Sequence, residues 1–145
     1  MKVEIIDKDL SLDVYGFSGK AINKNYAGTA FQLMDKMWKI VKGKELKNKG
    51  MNIWVYEPNE KVFAGVELLE VPGYDTGLEH KTINMAKYAR YTHVGPYNLI
   101  KQAGQNMTAE LHSKGYETCL PYIELYGHWI QDETKLETEL IMCLK

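Results

Sequence analysis

The segment most able to do chemistry is Tyr122-Ile123-Glu124-Leu125-Tyr126, one carboxylate between two tyrosines in a run that reads as a strand. Strand side chains alternate faces, so Tyr122, Glu124 and Tyr126 share one face and Ile123 and Leu125 the other. With the first face inward, a negative charge stands in an aromatic, poorly hydrated place, which is costly unless a cation or hydrogen-bond donors meet it. That arrangement is a cation pocket. With the second face inward, Ile123 and Leu125 fill the core and Glu124 is an ordinary solvated carboxylate. The pentapeptide alone favours this second register. A ligand cation beside Glu124 in a low-dielectric cleft gains Coulomb attraction and contact with ring faces, each about 1 kcal/mol or more when desolvated. Trp54, Tyr56, Tyr122 and Tyr126 are the candidate rings, with Tyr91 a weaker one; each could equally be plain core. Ten Tyr and three Trp against three Phe suit a surface that holds ligands as well as packs.

Other chemistry has little footing. His80, His112 and His128 show no HxH or HExxH spacing, and no nucleophile elbow or other local signature marks a triad, so no catalytic residue, metal site or cofactor is assigned. His93, just before Gly95-Pro96, is expected to bond the turn backbone. Cys119 and Cys143, without a CxxC, read as two buried reduced thiols. Met34, Met37 and Met107 are either adaptable pocket walls or helix packing. The Lys42, Lys44, Lys47, Lys49 run, interrupted by Glu45, is a solvated loop.

Eighteen Lys and Arg against 19 Asp and Glu, net charge -1, give no electrostatic footprint for nucleic acid or an anionic membrane. With 145 residues, 45% of them hydrophobic, the chain suits one domain with a real core. No stretch of 18 apolar residues occurs and the N-terminus has no signal-peptide core, so a cytoplasmic protein is expected.

The elements that must position these residues fall into two similar sets. Glu4 to Ser18 reads as strand broken by a turn at Asp7-Lys8-Asp9. Tyr26 to Val41 has helical spacing at Ala27, Ala30, Phe31, Met34, Trp38 and Val41. Met51–Tyr56 and Val62–Leu69 read as a hairpin about a Glu57-Pro58-Asn59-Glu60 turn. Then Met85–Val94 reads as strand, Gly95-Pro96 opens a helix striped by Leu99, Ile100, Ala103, Met107 and Leu111, and Tyr122–Tyr126 with Glu137–Leu144 make a second hairpin. Offsets of 65 to 74 residues relate Gly50 to Gly115, Tyr56 to Tyr126 and Phe17 to Tyr91. The pattern predicts an α+β fold of two tandem βαββ units, about 1–72 and 78–145, within a single domain 1–145. Paired about a pseudo-twofold axis, they should set Trp54 and Tyr56 opposite Glu124 and Tyr126 across a central cleft.

The segment Tyr91-Thr92-His93-Val94-Gly95-Pro96-Tyr97, the helix closed by Lys114-Gly115, and the Pro121-Tyr122-Ile123-Glu124-Leu125-Tyr126 strand resemble the GyrI-like family. These are the effector-binding domains of multidrug-responsive and AraC-type regulators, whose stand-alone relatives include an integron-cassette protein that binds cationic drugs. The resemblance covers essentially the whole chain. It implies a concave antiparallel sheet with two helices, Glu124 as the buried pocket glutamate, Tyr126 beside it, and the register with Tyr122, Glu124 and Tyr126 inward. Some relatives carry a second acid on the last strand; whether Glu137 or Glu139 reaches the pocket is left open. Beside a 145-residue effector domain no helix-turn-helix is expected.

The expected function is therefore binding of cationic lipophilic or aromatic small molecules, with a role in transcriptional regulation or drug response. The alternative, also implied by the resemblance, is hydrolysis of electrophiles, Glu124 activating water and Tyr91 or Tyr126 donating to the leaving group. Expected partners are a small cationic or aromatic ligand and at most a protein partner, with no direct nucleic acid or membrane contact, in a monomer or weak dimer.

Overall fold

The computed structural model describes all 145 residues. Ten main elements follow one another as β1 (Glu4–Ile6), β2 (Leu10–Lys20), α1 (Tyr26–Gly43), β3 (Ile53–Glu57), β4 (Lys61–Val66), β5 (Glu79–Met85), β6 (Tyr88–Val94), α2 (Ile100–Ser113), β7 (Thr118–Tyr126) and β8 (Glu137–Leu144). All eight strands form one antiparallel sheet in the order β1-β6-β8-β7-β3-β4-β2-β5. Read outward from the central β3·β7 pair, the order is the same on both sides, β3-β4-β2-β5 against β7-β8-β6-β1.

The sheet cannot be flat. β5 and β6 stand six strand spacings apart, roughly 29 Å in a flat sheet. Yet only Ala86 and Lys87 join them, a link that reaches about 11 Å at most. β1 and β2 are likewise six spacings apart and joined by Asp7-Lys8-Asp9. Both short links force the sheet to curl, and its concave side closes over a core of Val14, Ile53, Val55, Phe63, Ile83, Met85, Ile123 and Ile141. Ile123 is wholly buried there, so the alternating residues of β7 must point the other way.

On that other face lie the two helices. α1 covers the β2–β4 half through Ala30, Met37 and Val41, and α2 the β6–β8 half through Ile100, Ala103, Met107 and Leu111. Between them, over β3 and β7, the sheet is left open as a cleft.

Four expectations change in detail. The single strand Met85–Val94 is two strands, β5 ending at Met85 and β6 starting at Tyr88. β5 carries apolar core residues only at Ile83 and Met85 because it is a sheet edge, with Glu79, His80, Thr82 and Asn84 exposed, and its polarity hides it. Second, the early strands are exchanged, β1 lying beside β6 and β5 beside β2. Third, Gly95-Pro96 leads into a 3-10 turn at Tyr97–Leu99 before α2 begins. Fourth, Cys119 and Cys143 are not separate thiols: they face each other across β7 and β8, Cα atoms 5.0 Å apart, and are joined in a disulfide. Spacing along the chain carries no sign of this, because the pairing register creates it.

Candidate functional site

The β3·β7 register sets Trp54 directly opposite Glu124 and Tyr56 opposite Tyr122. An antiparallel pair about a twofold axis brings only one pair of equivalent residues face to face, here Trp54 and Glu124. The expected Tyr56–Tyr126 opposition is thereby corrected: Tyr56 meets the residue two positions before Glu124, and Tyr126 packs diagonally on Trp54, ring centroids 5.0 Å apart.

Glu124 is 7% exposed, and tyrosines alone hold it. Tyr56 donates to Oε1 at 3.1 Å, Tyr126 to Oε1 at 2.5 Å and Tyr122 to Oε2 at 2.8 Å. Two donors come from the same strand, one on either side, and the third reaches diagonally from β3. No Lys, Arg or His lies within ion-pair distance. A buried carboxylate among neutral donors keeps its charge uncompensated, unlike one in a buried salt bridge. Burial first, then the charge of Glu124 and the bonds to it, pushes the hydroxyls of Tyr56, Tyr122 and Tyr126 far above the ordinary phenol value. They stay protonated and donate.

Around this cage the cleft has a volume of about 1300 Å³. Its walls carry Tyr26, Phe31 and Met34 from the first half of α1, Tyr97 from the 3-10 turn before α2, the Gly104–Thr108 face of α2, Trp54 and Tyr56 from β3, and Trp129 from the loop after β7. The rings meet mostly edge to face: Phe31 on Trp54 at 5.2 Å and 77°, Tyr97 on Tyr126 at 5.6 Å and 85°, Tyr26 on Tyr56 at 5.8 Å and 63°. Tyr56 and Tyr122 stack at 5.5 Å.

Local devices fix these parts. Asn25 caps α1 through its side chain onto the Gly28 amide, and Trp38 Nε1 donates to Asn52 at 2.6 Å, tying α1 to the start of β3. The His93-x-Gly-Pro-Tyr turn aims Tyr97. His93 Nε2 donates to the Pro96 carbonyl at 3.1 Å, as expected, and Gly95 sits at φ +144°, a conformation that disfavours side chains.

Of the residues singled out from sequence, Trp54, Tyr56, Tyr122, Glu124 and Tyr126 all line the cleft. Tyr91 does not: it packs against the α2 cluster, because β8 lies between its strand and β7. Glu137 and Glu139 do not line the cleft either, and Glu139 pairs with Arg90 at 3.2 Å. Met34 is a wall, whereas Met37 and Met107 are fully buried core. Sequence reasoning missed Tyr26, Tyr97 and Trp129, and placed Phe31 in the helix core stripe. Phe31 is 55% exposed; with Ala27 and Met34 it forms a second apolar face at helical spacing, the signal available in sequence. No group of three or more His, Cys, Asp or Glu could hold a metal ion, and no helix is long and apolar enough to cross a membrane.

This curled eight-stranded sheet with two helices flanking a cleft is the fold of the GyrI-like effector-binding domains. The chain is similar over 99% of its length to the EcmrR C-terminal domain, covering 97% of it (TM-score 0.76, 14% identity). Over its whole length it is similar to SAV2435 bound to tetraphenylphosphonium, covering 94% of that chain (TM-score 0.66, 19% identity). A hydrolase from Listeria innocua also shares the fold, with 99% of this chain and 92% of that one aligned (TM-score 0.58, 13% identity). No protein-family model matches the sequence, and no curated protein does.

Proposed function

We propose that residues 1–145 form a single effector-binding domain whose cleft binds bulky, cationic, aromatic small molecules at Glu124. One observation carries this: a carboxylate buried in a ring-lined cleft with three hydroxyl donors and no protein cation within ion-pair distance of it. A desolvated charge of that kind attracts a ligand cation, and the surrounding ring faces favour a delocalised or aryl-substituted one. The shared fold with a protein that holds tetraphenylphosphonium supports the same reading. Eight aromatic side chains with adaptable Met34 and Met142 in the walls favour tolerance of several ligand shapes.

Binding is preferred to hydrolysis on geometry. A carboxylate offers about four lone-pair positions, and three are engaged by Tyr56, Tyr122 and Tyr126, which leaves Glu124 poorly placed to take a proton from water. Tyr91, one of the two proposed proton donors, stands outside the cleft. Signalling to a transcription factor or another protein partner is part of the same proposal. So is a cytoplasmic location.

Calorimetric titration with tetraphenylphosphonium tests the function. Wild type is expected to bind, and Glu124→Gln, which keeps size and shape, to lose about tenfold or more in affinity while remaining folded. Equal affinity in the two proteins would refute the role of Glu124.

A further inference from the structure

Outside the Glu124 cage, the charges of the cleft have the opposite sign. Glu124 is the only acid among the lining residues, whereas Lys24 lines the cleft from the turn before α1 and Lys101 from the first turn of α2, and neither makes an ion pair. No acidic residue occupies the first turn of either helix, so the positive ends of both helix dipoles at the cleft are uncompensated by side-chain charge there. Deeper in, Trp54 is 6% exposed and its Nε1–H, a pure donor, has no acceptor. Positive charge is thus in surplus in the cleft, two lysines against one carboxylate, and one buried donor is without a partner. The cavity, about 1300 Å³, exceeds the 300 to 1,000 Å³ range of ordinary drug sites and has room for a second group beyond the cation.

We infer that the cleft is built for a zwitterion: an aromatic cation seated at Glu124 that also carries a carboxylate or comparable anionic group directed to a lysine at the rim, Lys24 at one end of the cleft or Lys101 toward the other. The inference rests on the cation-binding reading above and narrows it. A dication would set its second charge against two ammonium groups, and a simple monocation leaves them without a counter-charge. The lysines are solvent-exposed, so their contribution is modest and screened by salt.

Rhodamine B and its ethyl ester test this, since they share one xanthylium cation and differ in whether the carboxylate is free. Fluorescence anisotropy at low salt is expected to show rhodamine B binding about threefold to tenfold more tightly than the ester. Lys24→Gln/Lys101→Gln should bring the two affinities together, and raised salt should narrow the gap in wild type. The inference is overturned if the ester binds as tightly as rhodamine B, or if the preference survives the double substitution. Tetraphenylphosphonium separates the two layers: its binding with no zwitterion preference sinks this inference alone, and failure of all three probes sinks the cation reading with it.

Discussion

Replacing Tyr122 by Phe removes one hydroxyl and nothing else, and the geometry of the cage sets what that costs. Tyr122 is the sole donor to Glu124 Oε2, at 2.8 Å, whereas Oε1 is shared by Tyr126 at 2.5 Å and Tyr56 at 3.1 Å. A hydrogen bond to a charged group contributes about 1.5–3 kcal/mol, and losing the only donor to a buried charged oxygen lies toward the upper end. Tyr122→Phe should therefore destabilise the free protein by about 2–3 kcal/mol, and Tyr56→Phe by less, since Tyr126 still serves Oε1. In a Glu124→Gln background the acceptor is neutral, and the same Tyr122→Phe change should cost only about 0.5–1.5 kcal/mol. The double-mutant cycle then has a coupling of about 1–2 kcal/mol, well outside the error for independent sites. Urea unfolding followed by circular dichroism measures all four proteins. Identical costs in the two backgrounds, or a larger loss for Tyr56→Phe than for Tyr122→Phe, would refute the reasoning.

Further outcomes follow from the same structure. The raised hydroxyls of Tyr56, Tyr122 and Tyr126 stay protonated in the folded state above the phenol value of 10.0, where the unfolded chain ionises. The stability these three contribute is complete below pH 10 and falls as pH rises beyond it, so difference absorbance near pH 11 should show their phenolic protons released only on unfolding, a step lost in a triple Tyr→Phe variant. Ile123→Ala, at a wholly buried position on the concave side, should cost about 2–5 kcal/mol without changing which way Glu124 points, which thermal unfolding and dye titration read separately. Phe31→Ala should leave stability within about 1 kcal/mol because the ring is largely exposed, yet weaken tetraphenylphosphonium binding severalfold; unchanged affinity would remove Phe31 from the site.

Much of this was legible in the chain because it depends on short periodicities. α1 spans Tyr26–Gly43 where the apolar spacing predicted Tyr26–Val41, and both hairpins fall near their predicted places. The facing of Trp54 and Glu124 follows from two equivalent units meeting about an axis. The register of β7 was ambiguous for a physical reason: both faces of that strand are buried, Ile123 in the concave core and Glu124 in the cleft, so alternation does not mark the inside. Resemblance, not spacing, favoured the orientation observed. What could not be read depends on long-range closure. The exchange of β1 and β5, the meeting of Cys119 with Cys143, the displacement of Tyr91 by β8 and the arrival of Tyr97 and Trp129 at the cleft all follow from how the sheet curls.

The most direct test of the central claim is a crystal structure of the protein soaked with tetraphenylphosphonium. The account predicts the phosphonium centre in the cleft within about 6 Å of ring centroids among Trp54, Tyr56 and Tyr126, with the Glu124 carboxylate facing it. A cation bound elsewhere, or the Glu124 carboxylate turned away from the cleft, would contradict it.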